Sequence, residues 1–69
     1  MTIIKVEKIG NALYELTYKT FFGKVKTRKV FPSVFSFRFS DTGKELPYQI
    51  NLSVSNLCYA MKVGEVKKL

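Results

Sequence analysis

The side chains of this sequence best suited to chemistry lie together between Lys19 and Lys29. That run holds five basic residues, Lys19, Lys24, Lys26, Arg28 and Lys29, and no acid, with Phe21 and Phe22 set among them. Like charges held this close repel unless solvent or an anion screens them, and a phosphate backbone is the commonest regularly spaced anion that does so. Aromatic rings beside ammonium groups suit stacking on bases, insertion between base steps or docking into a partner's groove. The same residues also fit a plainer role, a solvated face that keeps a small protein soluble while the rings fold back on the core.

Other reactive groups are scarce. The chain has no histidine, so general acid–base work would fall to five carboxylates, the lone thiol Cys58, tyrosines or a lysine of strongly lowered pKa. No set of residues combines a nucleophile, a base and an orienting partner, and neither catalysis nor a cofactor is expected. One thiol and scattered acids do not make a metal site. Asp41-Thr42-Gly43 is the tripeptide that carries the catalytic aspartate of aspartic proteases, but Asp first and Gly third is also ordinary turn chemistry, and the chain lacks the length for the flaps of such an enzyme. Gly43-Lys44 echoes the end of a phosphate-binding loop, yet Arg38 stands where its first glycine should be and Glu45 where a hydroxyl should bind magnesium. Glu7 and Glu15, among lysines, read as charge partners. Cys58, on an apolar stripe, reads as an inert small hydrophobe.

The frame that must position the basic run is a single small domain spanning residues 1–69. At this length a chain buries roughly 60% of the surface its unfolded form exposes, so stability is modest and a second domain has no room. An apolar content of 46% and a net charge of +7 describe a basic chain that can still collapse around one core. Charges at Lys5, Glu7 and Lys8 leave no apolar run for a secretion signal, and no stretch is long enough to span a membrane. A single cysteine fits a reducing, cytoplasmic setting better than a secreted one.

Apolar and polar residues alternate along Ile4–Val6, Tyr14–Tyr18, Val25–Phe31, Phe35–Phe39 and Leu46–Leu52, with turn residues at Gly10-Asn11, Gly23, Pro32-Ser33 and Asp41-Thr42-Gly43. The pattern predicts an α+β fold, a small five-stranded antiparallel β-meander with one short C-terminal helix; an all-β small barrel is the alternative. Register follows from keeping the apolar stripes on one face. In the first hairpin Val6 opposes Tyr14 and Ile4 opposes Leu16, since the next register would set Glu7 against Glu15. In the second, a four-residue loop, Thr20–Gly23, sets Tyr18 against Val25, Lys19 against Lys24, Thr17 against Lys26 and Glu15 against Arg28. Four of the five bases then share the outer face, while Lys29 falls on the apolar one and must snorkel. Pro32-Ser33-Val34 joins Phe31 to Phe35. In the last hairpin Phe35, Phe37 and Phe39 oppose Ile50, Tyr48 and Leu46, a set that reads as core, with Pro47 on an edge strand.

Val54, Leu57, Cys58 and Met61 follow helical spacing, which predicts a helix over residues 53–63 with Ser53 as N-cap and Gly64 at its end. The alternation of Leu57, Tyr59, Met61 and Val63 would also suit a strand. Val66 to Leu69 read as a fraying tail.

Two functional readings follow. One is a small nucleic-acid-binding protein, for DNA or RNA, that holds phosphates with Lys19, Lys24, Lys26 and Arg28 and makes apolar contact through Phe21 and Phe22. The other is a small protein-interaction module, an inhibitor or accessory subunit, that docks an acidic protein partner through the same hairpin or an open sheet edge.

Overall fold

The computed structural model describes residues 1–69. Strands β1 (Thr2–Gly10), β2 (Leu13–Lys19), β3 (Val25–Pro32) and β4 (Phe37–Phe39) are followed by helix α1 (Tyr48–Cys58) and strand β5 (Val66–Lys68). They form one antiparallel sheet in the order β4-β3-β2-β1-β5, open at both edges. The fold is therefore an α+β meander with a C-terminal helix, and it does not close into a barrel. The first four strands follow one another across the sheet, as hairpin-linked strands should. The fifth strand is not residues 46–52 but residues 66–68, which pair with β1 from the other side. The tail read as fraying is thus a strand, fastened where Lys8 donates its amide to Glu65 and Leu69 donates to Ile4.

One face of the sheet is covered by α1 and the other is bare. Ile3 and Val6 of β1, Tyr14, Leu16 and Tyr18 of β2, Val30 of β3 and Phe37 and Phe39 of β4 meet Leu46, Val54, Cys58 and Met61 in a single core. Val6, Leu16, Val30 and Val54 are fully buried, each worth roughly 1.5–3 kcal/mol of hydrophobic stabilisation. β1 pairs with β2 in the register that sets Glu7 opposite Glu15, with Val6 opposite Leu16 and Ile3 opposite Tyr18. Irregularities at Ile4 and Ile9 let β1 keep both Ile3 and Val6 on the core face. The facing glutamates lie on the open side, where water and salt keep like-charge repulsion too weak to decide the register.

The C-terminal half departs further from the alternation pattern. Phe37 and Phe39 are core residues, but Phe35 is 90% exposed, because a longer loop, closed by the Ser33 amide on the Ser36 carbonyl, delays β4 by two residues. The chain returns beside β4 only briefly: the Phe39 amide donates to Lys44 and the Leu46 amide to Phe37. Pro47 ends this return and begins α1, a position where a missing N–H costs nothing. The helix consequently runs from Tyr48 to Cys58 rather than over 53–63, and Ser53 lies inside it instead of capping it. Ile50, Val54, Leu57 and Cys58 form its inward stripe at i, i+4, i+7 and i+8. Tyr48, expected against Phe37, points to solvent. Beyond the helix, Tyr59 is extended and Ala60 has a φ of 59°, so Met61 reaches the core from a turn. Gly64, with a φ of 90°, opens the turn into β5. No helix is long and apolar enough to cross a membrane.

Candidate nucleic-acid interface

The basic run forms the hairpin of β2 and β3, and its geometry is set by the turn. The Thr20 amide donates to the Lys24 carbonyl at 2.7 Å, and the Gly23 amide donates back to Thr20 at 2.9 Å. Gly23 has a φ of 84°. The loop is thus three residues, Phe21-Phe22-Gly23, a tight turn completed by a glycine in the left-handed region, rather than the expected four. The Thr20 hydroxyl accepts a further bond from the Lys24 amide at 3.1 Å, which stiffens the neck of the turn.

Shortening the loop by one residue shifts the register by one and turns β3 over. Tyr18 faces Lys26, Leu16 faces Arg28, Thr17 faces Thr27, and Glu15 faces Lys29. The strip expected on the outer face is therefore divided. Lys19 and Lys29 lie on the bare face, Lys26 and Arg28 lie on the helix side, and Lys24 sits in the turn. Lys29 has no need to snorkel, because it stands opposite Glu15 on the solvated face. Burial explains why this register wins: it places Val30 in the core beside Tyr14, at the small cost of leaving Val25 exposed at the strand end.

Both rings of the loop are in solvent. Phe21 is 91% exposed and Phe22 87% exposed, and they touch each other edge to face, with centroids 5.5 Å apart and planes at 88°. The pairing of β1 with β2 begins at Thr2 and Lys19, so the turn overhangs the end of β1. The Lys19 stem lies alongside the turn, its Cε 4.0 Å from where a Cβ on Gly23 would sit. Lys19, Lys24 and Lys26 are exposed and engage in no ion pair; along the hairpin they stand beside the loop on the bare face, in the turn and on the helix side.

Arg28 is differently placed. Its guanidinium carbon lies 3.7 Å from the centroid of the Phe39 ring, and its Nη2 donates to Asp41 Oδ1 at 2.7 Å. The hydrogen bond to Asp41 holds the Arg28 pKa above its ordinary value and the Asp41 carboxyl below its own. Arg28 thus fastens the 41–43 turn to the sheet, a part that sequence alone did not assign to it. The Asp41-Thr42-Gly43 tripeptide is a turn, with the Gly43 amide bonded to the Phe39 carbonyl. Arg38 is likewise committed, to Glu45 at 3.0 Å and to the Gly43 carbonyl. On the far side of the molecule Lys8 and Lys67 donate to the carbonyls of Met61 and Tyr59, taking backbone acceptors at the end of α1. Burial raises the Cys58 thiol to about 11, which keeps it protonated.

One contribution was not legible from residue types: the free edge of β3. β4 covers β3 only from Val30 to Pro32. The Thr20–Lys24 pair sets the alternation of the ladder, which directs the backbone groups of Val25 and Thr27 outward along that uncovered edge. The signal that could have located it is the three-residue loop ending in Gly23. No protein-family model matches the chain, no curated protein matches it and no solved structure matches it.

Proposed function

We propose that this chain is a small basic nucleic-acid-binding protein that acts by binding rather than catalysis, through the tip of the β2–β3 hairpin. The observation that carries the reading is the pair of solvent-exposed rings, Phe21 and Phe22, at the tip of a hairpin whose Lys19, Lys24 and Lys26 are exposed and without ion-pair partners. Free ammonium groups release counterions from a phosphate backbone, and the rings supply apolar contact beside it. Lys19, Lys24 and Lys26 are the phosphate-holding residues of this reading; Arg28 supports them by bracing β3. A single buried thiol is compatible with a reducing, cytoplasmic setting.

The test is a salt titration of binding to DNA and RNA. Affinity should fall with a log–log slope of roughly −0.7 to −0.9 for each phosphate neutralised. The double variant Lys24→Glu, Lys26→Glu should lose most of its affinity, whereas Lys44→Glu, Lys62→Glu, the same change of charge in two other exposed turns, should lose much less. Equal losses would mean that net charge alone drives binding, and absence of binding at low salt would end the proposal. The uncovered edge of β3 favours a second reading, addition of an extended acidic peptide beside Val25–Arg28. Retention on nucleic acid columns against co-purification of one acidic protein separates the two.

A further inference from the structure

We infer that the Phe21–Phe22 corner is a seat for one unpaired nucleobase, so that the hairpin tip takes single-stranded in preference to duplex nucleic acid. This rests on the nucleic-acid reading above and adds to it which form of nucleic acid is held and by what.

Planes at 88° with centroids 5.5 Å apart form an L rather than a slot, so no base can be sandwiched between the two rings. A base can instead lie flat on the open face of one ring with the other ring alongside. Each ring has such a face free, at 91% and 87% exposure. The backbone beneath the corner is held in place: the left-handed Gly23, the Gly23–Thr20 and Thr20–Lys24 backbone bonds and the Thr20 hydroxyl fix the turn, so the ordering left for the moment of binding is that of the two side chains.

The form of nucleic acid follows from what a base must offer. In a duplex both faces of a base are covered by neighbours, and a ring reaches one only by unstacking a step at roughly a few kcal/mol. In a single strand the faces are open, and each stacked base adds roughly 1–3 kcal/mol without regard to sequence. The division of the lysines between the two sides of the hairpin serves the same end. A strip on one face would suit lying along a duplex, whereas ammonium groups on the bare face, in the turn and on the helix side can each meet phosphates of a strand that passes over the tip. The acids that stand on this hairpin, Glu15 opposite Lys29 and Asp41 on Arg28, lie toward its base, away from the tip.

The chain has no tryptophan, so Phe22→Trp gives a single fluorescent reporter at the corner. It would be titrated with a 12-nucleotide single-stranded DNA of mixed sequence, with the duplex of the same sequence, and with heparin, a polyanion without bases. The single strand should quench the indole and bind at least tenfold tighter than the duplex at equal salt, and heparin should leave the fluorescence nearly unchanged. Phe21→Ala with Phe22→Ala should weaken single-strand binding roughly five- to 150-fold while leaving heparin affinity and the salt slope as they were. Tighter duplex binding, or single-strand affinity unaffected by the alanines, overturns the inference and leaves phosphate binding intact. Failure of all three ligands to bind at low salt overturns the nucleic-acid reading itself. Because the rings are exposed, the variants should keep the wild-type circular dichroism spectrum, which separates lost contact from lost fold.

Discussion

Arg28 shows how one residue's neighbours change its meaning. By type and position it belongs to the basic run, yet its guanidinium is engaged with Phe39 and Asp41 of the same chain at the surface. Arg28→Ala should therefore lower stability, by roughly 0.5–1 kcal/mol for the lost stacking alone, while leaving the salt slope of nucleic-acid binding unchanged. Asp41 adds a pH signature. Its folded pKa lies below the ordinary value because of Arg28, so its contribution to stability is complete above the unfolded pKa and is lost as pH falls through the folded one. Thermal melts of wild type and Asp41→Asn should differ at pH 7 and converge once the carboxyl is protonated in both states. A difference that persists in acid would mean that Asp41 acts through turn geometry rather than charge. The exposure of Phe21 and Phe22 was legible only as one of two alternatives, since a tight loop can hardly bury two adjacent rings yet rings can also fold back on a core, whereas the commitment of Arg28 was not legible, since β4 and the turn after it bring Phe39 and Asp41 to it.

At the scale of elements, one turn decides the functional surface. Gly23 lies at a φ of 84°, and a Cβ there would meet nothing closer than the Lys19 stem at 4.0 Å. Substitution is thus penalised by backbone strain rather than by crowding. Gly23→Ala should cost about 1–2 kcal/mol in chemical denaturation, and D-alanine at the same position should restore the loss, because only the L-configuration disfavours that region. If both residues destabilise equally, the turn is held by something other than φ. The placement of the hairpin was readable from Gly23 and the flanking alternation. Its register was not, because three- and four-residue loops both keep a plausible apolar stripe, and the choice fell to the burial of Val30. The helix was readable as a type but shifted by five residues at its start, since Tyr48, Ile50 and Leu52 alternate like a strand until Pro47 is seen as a helix start.

For the whole molecule the governing quantity is charge over distance. The chain carries +7 in a body measuring 32 × 23 × 20 Å. At about 10 mM salt the screening length is roughly 30 Å, so every charge feels the rest, while at about 150 mM it is roughly 8 Å and only neighbours interact. The free protein's melting temperature should therefore rise as salt is added over that range, because repulsion among the lysines outweighs the two exposed ion pairs. A fall would show that the pairs dominate. Nucleic acid added at low salt should raise it further, since a ligand of the folded state stabilises by mass action.

What the sequence alone determined was the set of things that depend on neighbours along the chain. The alternation of apolar residues gave a sheet, the turn residues gave the first four strands, and the absence of acids between Lys19 and Lys29 located the charge. What the tertiary structure decided was everything that depends on competition between partners distant in the chain. Val66–Lys68 became a strand because β1 offered an open edge. Phe35 was left in solvent because β4 starts two residues later. The bases were divided between two faces because burying Val30 outweighed the preferences of exposed charges. A one-residue shift in a strand reverses every side chain, and the free energy that selects the shift comes from the core, not from the residues that would touch a ligand.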